Sequence, residues 1–306
     1  MKVFYADTFI LPLPDRHRFP MAKYSRLRER VALAGICGPG ELQIPPAATL
    51  DQLALAHDPD YVDRVHEGRL DPRELRELGF PWSQGLVDRS LRSCGATIAA
   101  ARAAALGGVA VNLAGGTHHA FAGRAEGYCV FNDAAVAARV LQRDRLAERV
   151  VIIDLDVHQG NGTASILAGD PTGFTLSLHG ASNFPFRKEQ SDLDVALADG
   201  TGDDADLAAL DRALARAFAL ARPDFAIYLA GADPFVGDAL GRLALTKAGL
   251  AERDRRVLDA CEALGIPAAV AMAGGYAPAI DDIVDIHFAT VRIAADYAPR
   301  LARPTT

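Results

Sequence analysis

Three side chains of the metal-binding type alternate with apolar residues in one short segment of the sequence. Asp154, Asp156 and His158 follow the apolar run 150–153, with one apolar residue between each pair. Because successive side chains of a β-strand point to opposite faces, this spacing puts the three polar groups on one face. Polar groups at the carboxyl end of such a strand stand where open α/β sheets usually bind ligands. The segment therefore predicts a row of metal ligands.

The types of side chain indicate which metal such a row would bind. Asp156, His158 and Asp233 would form a mixed carboxylate and imidazole site that suits zinc or ferrous iron and leaves open positions for water and substrate. Two carboxylates would neutralise much of the charge of a divalent ion and so weaken it as a Lewis acid. We therefore expect a helper, and the neutral phenol of Tyr276 could hydrogen-bond a developing oxyanion beside the metal.

Two adjacent histidines, His118 and His119, can differ in role only if their partners differ. A carboxylate partner makes an imidazole more basic, whereas an amide partner does so much less. We expect His118 to pair with Asp154 and His119 with Asn161. His119 would then be the neutral general base for the attacking water and afterwards the acid that protonates the leaving amine. His118 would mainly hold charge and position.

The chain alternates between strand-like and helix-like segments. Apolar runs of strand length lie at 109–113, 150–155, 174–178, 225–230 and 266–272. Helical patterns lie at 83–106, 132–143, 203–221, 246–264 and 278–297. Near-continuously apolar strands separated by helices predict a three-layer α/β/α fold with a mainly parallel central sheet, and no linker divides residues 1–306 into more than one catalytic domain.

The predicted irregular segments carry most of the chemistry. They lie at 11–24, 115–131, 179–202 and 231–245. His118 and His119, Asp233 and Tyr276 each come just after a predicted strand. The carboxyl ends of parallel strands meet at one edge of a sheet, so we expect these side chains to gather around the row that begins at Asp154.

Composition excludes several classes of function. The 306 residues include 39 acidic and 32 basic ones, giving a net charge of -7, and no basic patch predicts a direct nucleic-acid partner. The four Cys are scattered without a CxxC pair, which suits a reducing compartment. Because no signal peptide precedes the first strand, we expect a cytoplasmic location. The longest apolar stretch, near 95–106, is broken by Arg102, so no membrane span is predicted.

Together these motifs resemble those of the zinc-dependent histone deacetylase-like amidohydrolases of the arginase/deacetylase superfamily, and most closely those of class IV. The resemblance spans most of the chain, from the N-terminal strand through the Tyr276 loop, and its matching segments lie at 115–120, 127–133, 153–162, 177–179, 230–235, 237–238 and 274–276. The resemblance implies removal of acyl groups from lysine side chains or similar amines. It implies zinc ligands at Asp156, His158 and Asp233. The tandem histidines and Tyr276 would act as acid, base and electrophile.

The same resemblance implies a structural potassium ion beneath the zinc row. Its ligands would be the Asp154 carboxylate, the Ser177 hydroxyl and the main-chain carbonyls of Asp156, His158 and Leu178. The walls of a narrow acyl-lysine channel are implied at Gly127, Tyr128, Phe184 and Gly275. Aromatic faces there would grip an aliphatic stem. Class IV likeness further implies a preference for long fatty acyl chains over acetyl.

The sequence also departs from the family patterns. The rim Asp that follows a His in class I enzymes has its best counterpart here in Pro59, and the loop 179–202 matches poorly. Asn161 stands where class I enzymes have Asp, as in classes II and IV. Neither the recognition of a peptide backbone nor the shape of the channel mouth is therefore predicted.

Other functions compete with a lysine deacylase. A ureohydrolase with two manganese ions would need paired aspartates, whereas Asp233 is followed by Pro234, so one metal is favoured. A deacetylase of acylated polyamines or other small amines is a serious alternative. The acidic entrance that it would need could come from Asp192, Asp194 and Asp199. A non-catalytic protein that binds acyl-lysine is the least favoured alternative. Such a protein would need neither Tyr276 nor both histidines, yet all three are present.

Several remaining residues are predicted to have ordinary structural roles. His57 and His287 belong to none of the motifs above and are interpreted as ordinary polar residues. The Arg-rich helical segment 250–256 predicts a solvated face.

Overall fold

The computed structural model describes residues 1–9, 11, 13, 14 and 17–302. Its strands in chain order are β1 Val3–Phe4, β2 Leu42–Gln43, β3 Val109–Asn112, β4 Val150–Asp154, β5 Gly173–Gly180, β6 Leu193–Leu197, β7 Phe225–Ala230 and β8 Ala268–Met272. Its helices are α1 Ala22–Leu33, α2 Leu50–Leu53, α3 Pro59–His66, α4 Pro72–Leu78, α5 Gln84–Gly107, α6 Asp133–Arg143, α7 Asn161–Leu167, α8 Asp203–Ala221, α9 Lys247–Leu264 and α10 Ile280–Leu301.

Within these described ranges, eight parallel strands form one sheet in the order β2-β1-β3-β8-β7-β4-β5-β6. Apolar side chains cover both of its faces. In β4, Val151 and Ile153 join the core that includes α1, α8, α9 and α10. Val150 and Ile152 join the second core, which includes α5 and α6. The two-residue period of a strand explains why β4 is apolar at every position before Asp154. The predicted three-layer α/β/α fold is confirmed.

The strand order brings the four predicted site loops together. β3, β8, β7 and β4 are consecutive neighbours in the sheet, and their last residues are nearly level. Asn112 pairs with Ala271, Ala230 with Met272, and Asp154 with Leu229. The segments that follow these strands therefore leave the same edge side by side.

Helix starts follow the capping residues. Ser83, Asn132 and Thr246 open three of the predicted helices, and each is the N-cap rather than the first helical residue. Their side-chain oxygens accept hydrogen bonds from the backbone N–H of Leu86, Ala135 and Gly249 at 3.0–3.1 Å. Such caps satisfy donors that a helix cannot pair internally.

Two segments predicted to be irregular contain regular structure. The segment 179–202 includes β6, an edge strand with partly exposed residues between buried Leu193 and Leu197, so it lacks a continuous apolar run. The segment 11–24 includes the first residues of α1, and its residues 12, 15 and 16 lie outside the described part. Among the described helices, none is long and apolar enough to cross a membrane.

Candidate active site

A cleft of about 420 Å³ opens at the carboxyl edge of the sheet. The loops after β3, β4 and β8 bring His118, His119, Asp156, His158 and Tyr276 to its wall. Asp233, in the loop after β7, lies beneath the wall and is fully buried. The structure therefore brings together side chains that are as far apart in the sequence as 118 and 276.

Asp156, His158 and Asp233 form one compact buried group. One possible ligand atom from each lies within 4.8 Å of the others. His158 Nδ1 lies 2.9 Å from Asp156 Oδ1 and 3.2 Å from Asp233 Oδ2. The backbone N–H of Val157 donates to the other Asp233 oxygen at 2.9 Å, which holds this carboxylate against the β4 loop.

The electrostatics of this group favour a bound cation. Burial, and then the charge of Asp156, raises the pKa of Asp233 to about 7. Burial alone would lower the pKa of His158, but its hydrogen bonds to Asp156 and Asp233 raise that pKa to about 10. Positive charge between the two buried carboxylates would therefore stabilise them, and a divalent ion would supply it. The residues fit a single zinc ion with open positions for water and substrate.

Gly274 makes the close packing of the two carboxylates possible. Its backbone N–H donates to Asp156 Oδ2 at 2.7 Å, and its carbonyl accepts from the N–H of Ala232 at 3.0 Å. A Cβ added at Gly274 would collide with carboxylate oxygens of both Asp233 and Asp156. The loop after β8 is therefore part of the support for the candidate metal ligands.

His118 is paired with a carboxylate. Its Nδ1 donates to Asp154 Oδ2 at 2.7 Å, and both side chains are buried. Burial lowers the pKa of His118, but the charges of Asp154 and then Asp156 raise it more, to about 9. In the absence of a bound metal, this raised pKa favours a protonated His118 at neutral pH. Its positive charge would then offset the charge of the buried aspartates.

His119 is paired with an amide. Its Nδ1 donates to Asn161 Oδ1 at 2.6 Å, which leaves Nε2 free to accept a proton. Burial, and then the charge of His118, lowers the pKa of His119 well below its usual value. The two ring centroids lie only 4.1 Å apart, yet the pKa of His118 is raised and the pKa of His119 is lowered. Both expected contacts are thus present, while the catalytic roles remain predictions.

Tyr276 is held over the group by its own loop. Its ring centroid lies 6.4 Å from that of His158. Burial, and then the charges of Asp156 and Asp233, raises the pKa of Tyr276 well above its usual value, so the phenol stays a proton donor. The backbone N–H of Tyr276 donates to Asp238 Oδ2 at 2.6 Å.

Two supporting residues of the Tyr276 loop were not among the predicted site residues. Asp238, within a matched motif, accepts from the backbone N–H of Leu240 and Gly241 with its second oxygen. Lys23 is buried, and its Nζ donates to the carbonyls of Ala273 and Gly275 at 3.3 Å. No local pattern around Lys23 distinguishes it from a surface lysine, because its contacts lie about 250 residues away in the sequence.

Three of the four predicted channel residues line the cleft. Gly127, Tyr128 and Phe184 are on its wall, and the Phe184 ring lies 5.0 Å from that of His119. Gly275 is not among the residues that line the cleft. With a φ of +143° it turns the chain, and a Cβ there would face Ile283 and Ala232 in the interior. Gly274 lines the cleft in its place.

Two of the predicted potassium ligands, Asp154 and Ser177, are neighbours in the sheet. Asp154 and Ser177 are paired across neighbouring strands β4 and β5, and both are buried. Leu178 follows Ser177 in β5, and Ser177 Oγ lies 3.0 Å from His179 Nδ1. Asp154 uses one oxygen for His118 and the other for the backbone N–H of Asp156. The buried carboxylate and hydroxyl are the hard oxygen donors that a monovalent cation would use, and the ion itself remains a prediction.

His57 is a buried structural residue rather than an ordinary polar one. Its Nδ1 donates to the carbonyl of Phe121 at 3.0 Å, and its Nε2 accepts from the N–H of Asn132 at 2.9 Å. Asn132 in turn donates to the carbonyls of His118 and Ala120. His57 therefore links Phe121, within the loop that carries the tandem histidines, to Asn132 at the end of that loop.

The acidic residues proposed for a polyamine entrance are used elsewhere. Asp192 accepts from the backbone of Thr175, Asp194 accepts from Gln159, and Asp199 forms an ion pair with Arg242. None of the three is on the wall of the cleft.

Comparisons with known proteins agree with this geometry. The sequence matches the histone deacetylase domain over residues 17–291. An uncharacterised protein of Picosynechococcus sp. is 45% identical over 294 residues, which cover 96% of this chain and 98% of that protein. Histone deacetylase 2 of Arabidopsis thaliana is 29% identical over 307 residues, which cover 97% and 76% of the two chains. A crystal structure of a histone deacetylase homologue complexed with SAHA superposes with a TM-score of 0.82 at 26% identity and covers 97% and 84%.

Proposed function

The chain belongs to the histone deacetylase family, and on this premise we propose that it is a zinc-dependent amidohydrolase that removes acyl groups from lysine side chains. One observation carries the proposal. A compact carboxylate and imidazole group, a histidine bonded to a carboxylate, a histidine bonded to an amide and a phenol are gathered at one cleft. The family match and the single sheet support one catalytic domain.

The zinc ion would be held by Asp156, His158 and Asp233. When bound there, zinc would supply a Lewis acid for the amide carbonyl and for the attacking water. The aspartates serve best as ligands when they are deprotonated, and the N–H groups of Gly274 and Val157 keep one oxygen of each in a fixed direction.

The proton moves through His119. Because its Nδ1 donates to Asn161, its Nε2 can take a proton from the attacking water, and its lowered pKa keeps it neutral beforehand. The same Nε2 then returns the proton to the departing amine. The Tyr276 hydroxyl donates to the carbonyl oxygen as negative charge develops there. His118, fixed by its hydrogen bond to Asp154, would hold its proton and stabilise that negative charge.

The lining of the cleft favours an acyl-lysine over an acylated polyamine. Its walls include the aromatic faces of Tyr128 and Phe184, which suit an aliphatic stem. The charged lining residues away from the candidate zinc site are Lys23, Arg76, Glu77 and Arg242. This excess of positive charge opposes the extra ammonium groups of a polyamine.

A potassium ion at Asp154, Ser177 and the main-chain carbonyls of Asp156, His158 and Leu178 belongs to the same proposal. It would offset the charge of Asp154 and so moderate the basicity of His118. A preference for long acyl chains, as in class IV, is likewise proposed and is tested by the panel below.

The test is zinc analysis combined with a turnover panel. The panel contains lysine peptides with acetyl, medium and long acyl groups, together with acetylated polyamines, and released amine is measured. We expect one zinc per chain and amine release from at least one acyl-lysine peptide. Turnover of polyamines alone would favour the small-amine alternative, and zinc binding without turnover of any member would favour a non-catalytic binder.

A further inference from the structure

Arg253 is a buried charge close to the candidate metal site. It lies in the segment 250–256, which was predicted to be a solvated helix face, and that prediction is wrong at this position. Its side chain is only 1% exposed, whereas its neighbours Glu252 and Arg255 are half exposed. A buried guanidinium is costly unless every donor finds an acceptor, so its partners indicate what it does.

One side of the guanidinium binds its neighbour in α9. Arg253 Nε and Nη2 donate to Asp254 Oδ1 at 3.1 and 2.9 Å. The Tyr228 hydroxyl donates to the same carboxylate oxygen, and Thr290 Oγ1 donates to the other at 2.6 Å. Asp254 thus balances the charge and fixes the orientation of the guanidinium.

The other side reaches both loops that carry aspartate ligands. Arg253 Nη1 donates to the carbonyl of Leu155 at 3.1 Å and to the carbonyl of Gly231 at 2.8 Å. Leu155 immediately precedes Asp156, and Gly231 lies two residues before Asp233. Because Nη1 carries two hydrogens, it can donate to both loops at once, close to the two candidate metal ligands.

Arg253 links the two loops beyond the last hydrogen bonds between β4 and β7. The strand pairing of β4 with β7 ends at Asp154 and Leu229, and the N–H of Leu155 makes one further bond to the carbonyl of Leu229. At Gly231 the loops after β4 and β7 are so close that an added Cβ would lie 2.6 Å from the Asp156 Cα. Beyond the strand ends, Arg253 takes the place of the missing ladder hydrogen bonds.

We propose that Arg253 is a positioning residue of the metal centre, which sets the separation of Asp156 and Asp233 by holding both of their loops. The inference rests on the proposed zinc site. Residues that orient metal ligands typically change metal affinity by about 10- to 100-fold when they are removed. Loss of the Arg253 bridge should weaken zinc binding by that factor, even in a protein that remains folded.

The experiment compares zinc dissociation constants, measured by competition with a chelator, in three variants and the wild type. Arg253→Met with Asp254→Asn removes both charges, so that no buried carboxylate is left alone. Asp254→Asn alone is the matched control, because the asparagine carbonyl oxygen can still accept from the guanidinium and so keep Arg253 directed at Leu155 and Gly231. Arg253→Lys keeps the charge balance and protects folding, but one Nζ cannot span all of these acceptors.

We expect zinc affinity to fall by about 10- to 100-fold in the double variant and by about tenfold in Arg253→Lys, with Asp254→Asn within about threefold of wild type. Equal affinities in all four proteins would overturn the inference. So would an equal loss in Asp254→Asn and the double variant, because the carbonyl contacts would then not matter. If wild-type protein bound no zinc, the proposed function itself would fail, which separates the two claims.

Discussion

At the scale of single residues, the two adjacent histidines differ because their Nδ1 atoms meet different acceptors. The carboxylate of Asp154 holds the pKa of His118 at about 9, despite burial. The amide of Asn161 carries no charge, so burial dominates at His119 and lowers its pKa. Both partners lie in the segment 154–161, so the residue types visible in the sequence suggest one carboxylate contact and one amide contact.

Replacement Asn161→Asp tests this difference. His119 must be neutral to accept a proton, so kcat/KM falls as the pH drops below its pKa. A carboxylate at position 161 stabilises the protonated ring and raises that pKa, so the acidic limb of the profile should move to higher pH. The measurement is kcat/KM against pH for both proteins on the same acyl-lysine peptide. An acidic limb at the same pH in both would contradict the role given to His119.

Replacement Tyr276→Phe removes one hydroxyl from the cleft. The variant should keep its zinc and its fold, since the hydroxyl makes none of the contacts described for the metal ligands. Turnover should fall by about 10²- to 10³-fold, the usual scale for loss of one oxyanion donor. Zinc content and kcat are measured on the same preparation, and wild-type kcat in the variant would reject an electrophilic role for Tyr276.

At the scale of elements, local sequence patterns predicted the strands and helices that bear the site but not all of their supports. Apolar runs identify β3, β4, β7 and β8, because these strands are buried on both faces. The order of the sheet depends on long crossovers and is not contained in any local pattern. Arg253 was misread for the same reason: its acceptors at Leu155 and Gly231 are distant in sequence. The direction of Gly275 is set by a turn with a φ of +143°, which no periodicity of the sequence predicts.

The Tyr276 loop provides an element-scale prediction at Asp238. Replacement Asp238→Ala leaves the N–H groups of Tyr276, Leu240 and Gly241 without their acceptor. A small displacement of the phenol should lower kcat by about 10²-fold. Asp238→Asn retains one acceptor oxygen and is the matched control, with a smaller expected loss. Equal kcat values for Asp238→Ala and wild type would show that the loop does not depend on this carboxylate.

His57 provides a prediction of pH-dependent stability, because it joins the histidine loop to the start of α6. Burial, opposed by hydrogen bonds to Ala122 and Phe121, lowers the pKa of His57 from 6.5 to about 4. The unfolded chain therefore binds the proton more tightly than the folded one. His57 contributes stability above pH 6.5 that is lost as the pH falls towards 4, up to about 3 kcal/mol.

The variant His57→Gln tests that contribution, since a glutamine can donate and accept hydrogen bonds but does not titrate. Urea unfolding of both proteins at pH 7 and at pH 4.5 gives the change in the free energy of unfolding. We expect the wild type to lose more stability than His57→Gln over this interval. An equal loss in the two proteins would mean that His57 does not titrate on unfolding.

At the scale of the whole molecule, the cleft lining away from the candidate zinc site is mostly basic, whereas the chain as a whole is acidic. The chain has a net charge of -7, whereas the charged lining residues away from the candidate zinc site are Lys23, Arg76, Glu77 and Arg242. Arg76 is exposed, and the Arg242 guanidinium forms an ion pair with the Asp199 carboxylate at 3.2 Å. Negative charge next to the acyl-lysine should therefore be preferred over positive charge.

Acyl-lysine peptides with flanking Asp or Glu should have a higher kcat/KM than those with flanking Lys or Arg, by a few-fold at low salt. The difference should shrink as salt screens exposed charges over about 10 Å at 0.1 M. Arg76→Gln, which removes one positive charge from the lining, should reduce the preference. A preference for basic flanks that survives in the wild type at low salt would contradict this reading of the cleft.

The account depends above all on a catalytic zinc ion held by Asp156, His158 and Asp233. The most direct measurement removes metal with a chelator and then follows acyl-lysine hydrolysis as zinc is added back. The account predicts loss of turnover in the metal-free protein, recovery at one equivalent of zinc, and no recovery at that ratio in Asp233→Ala. Full turnover without metal, or wild-type recovery in Asp233→Ala, would contradict it.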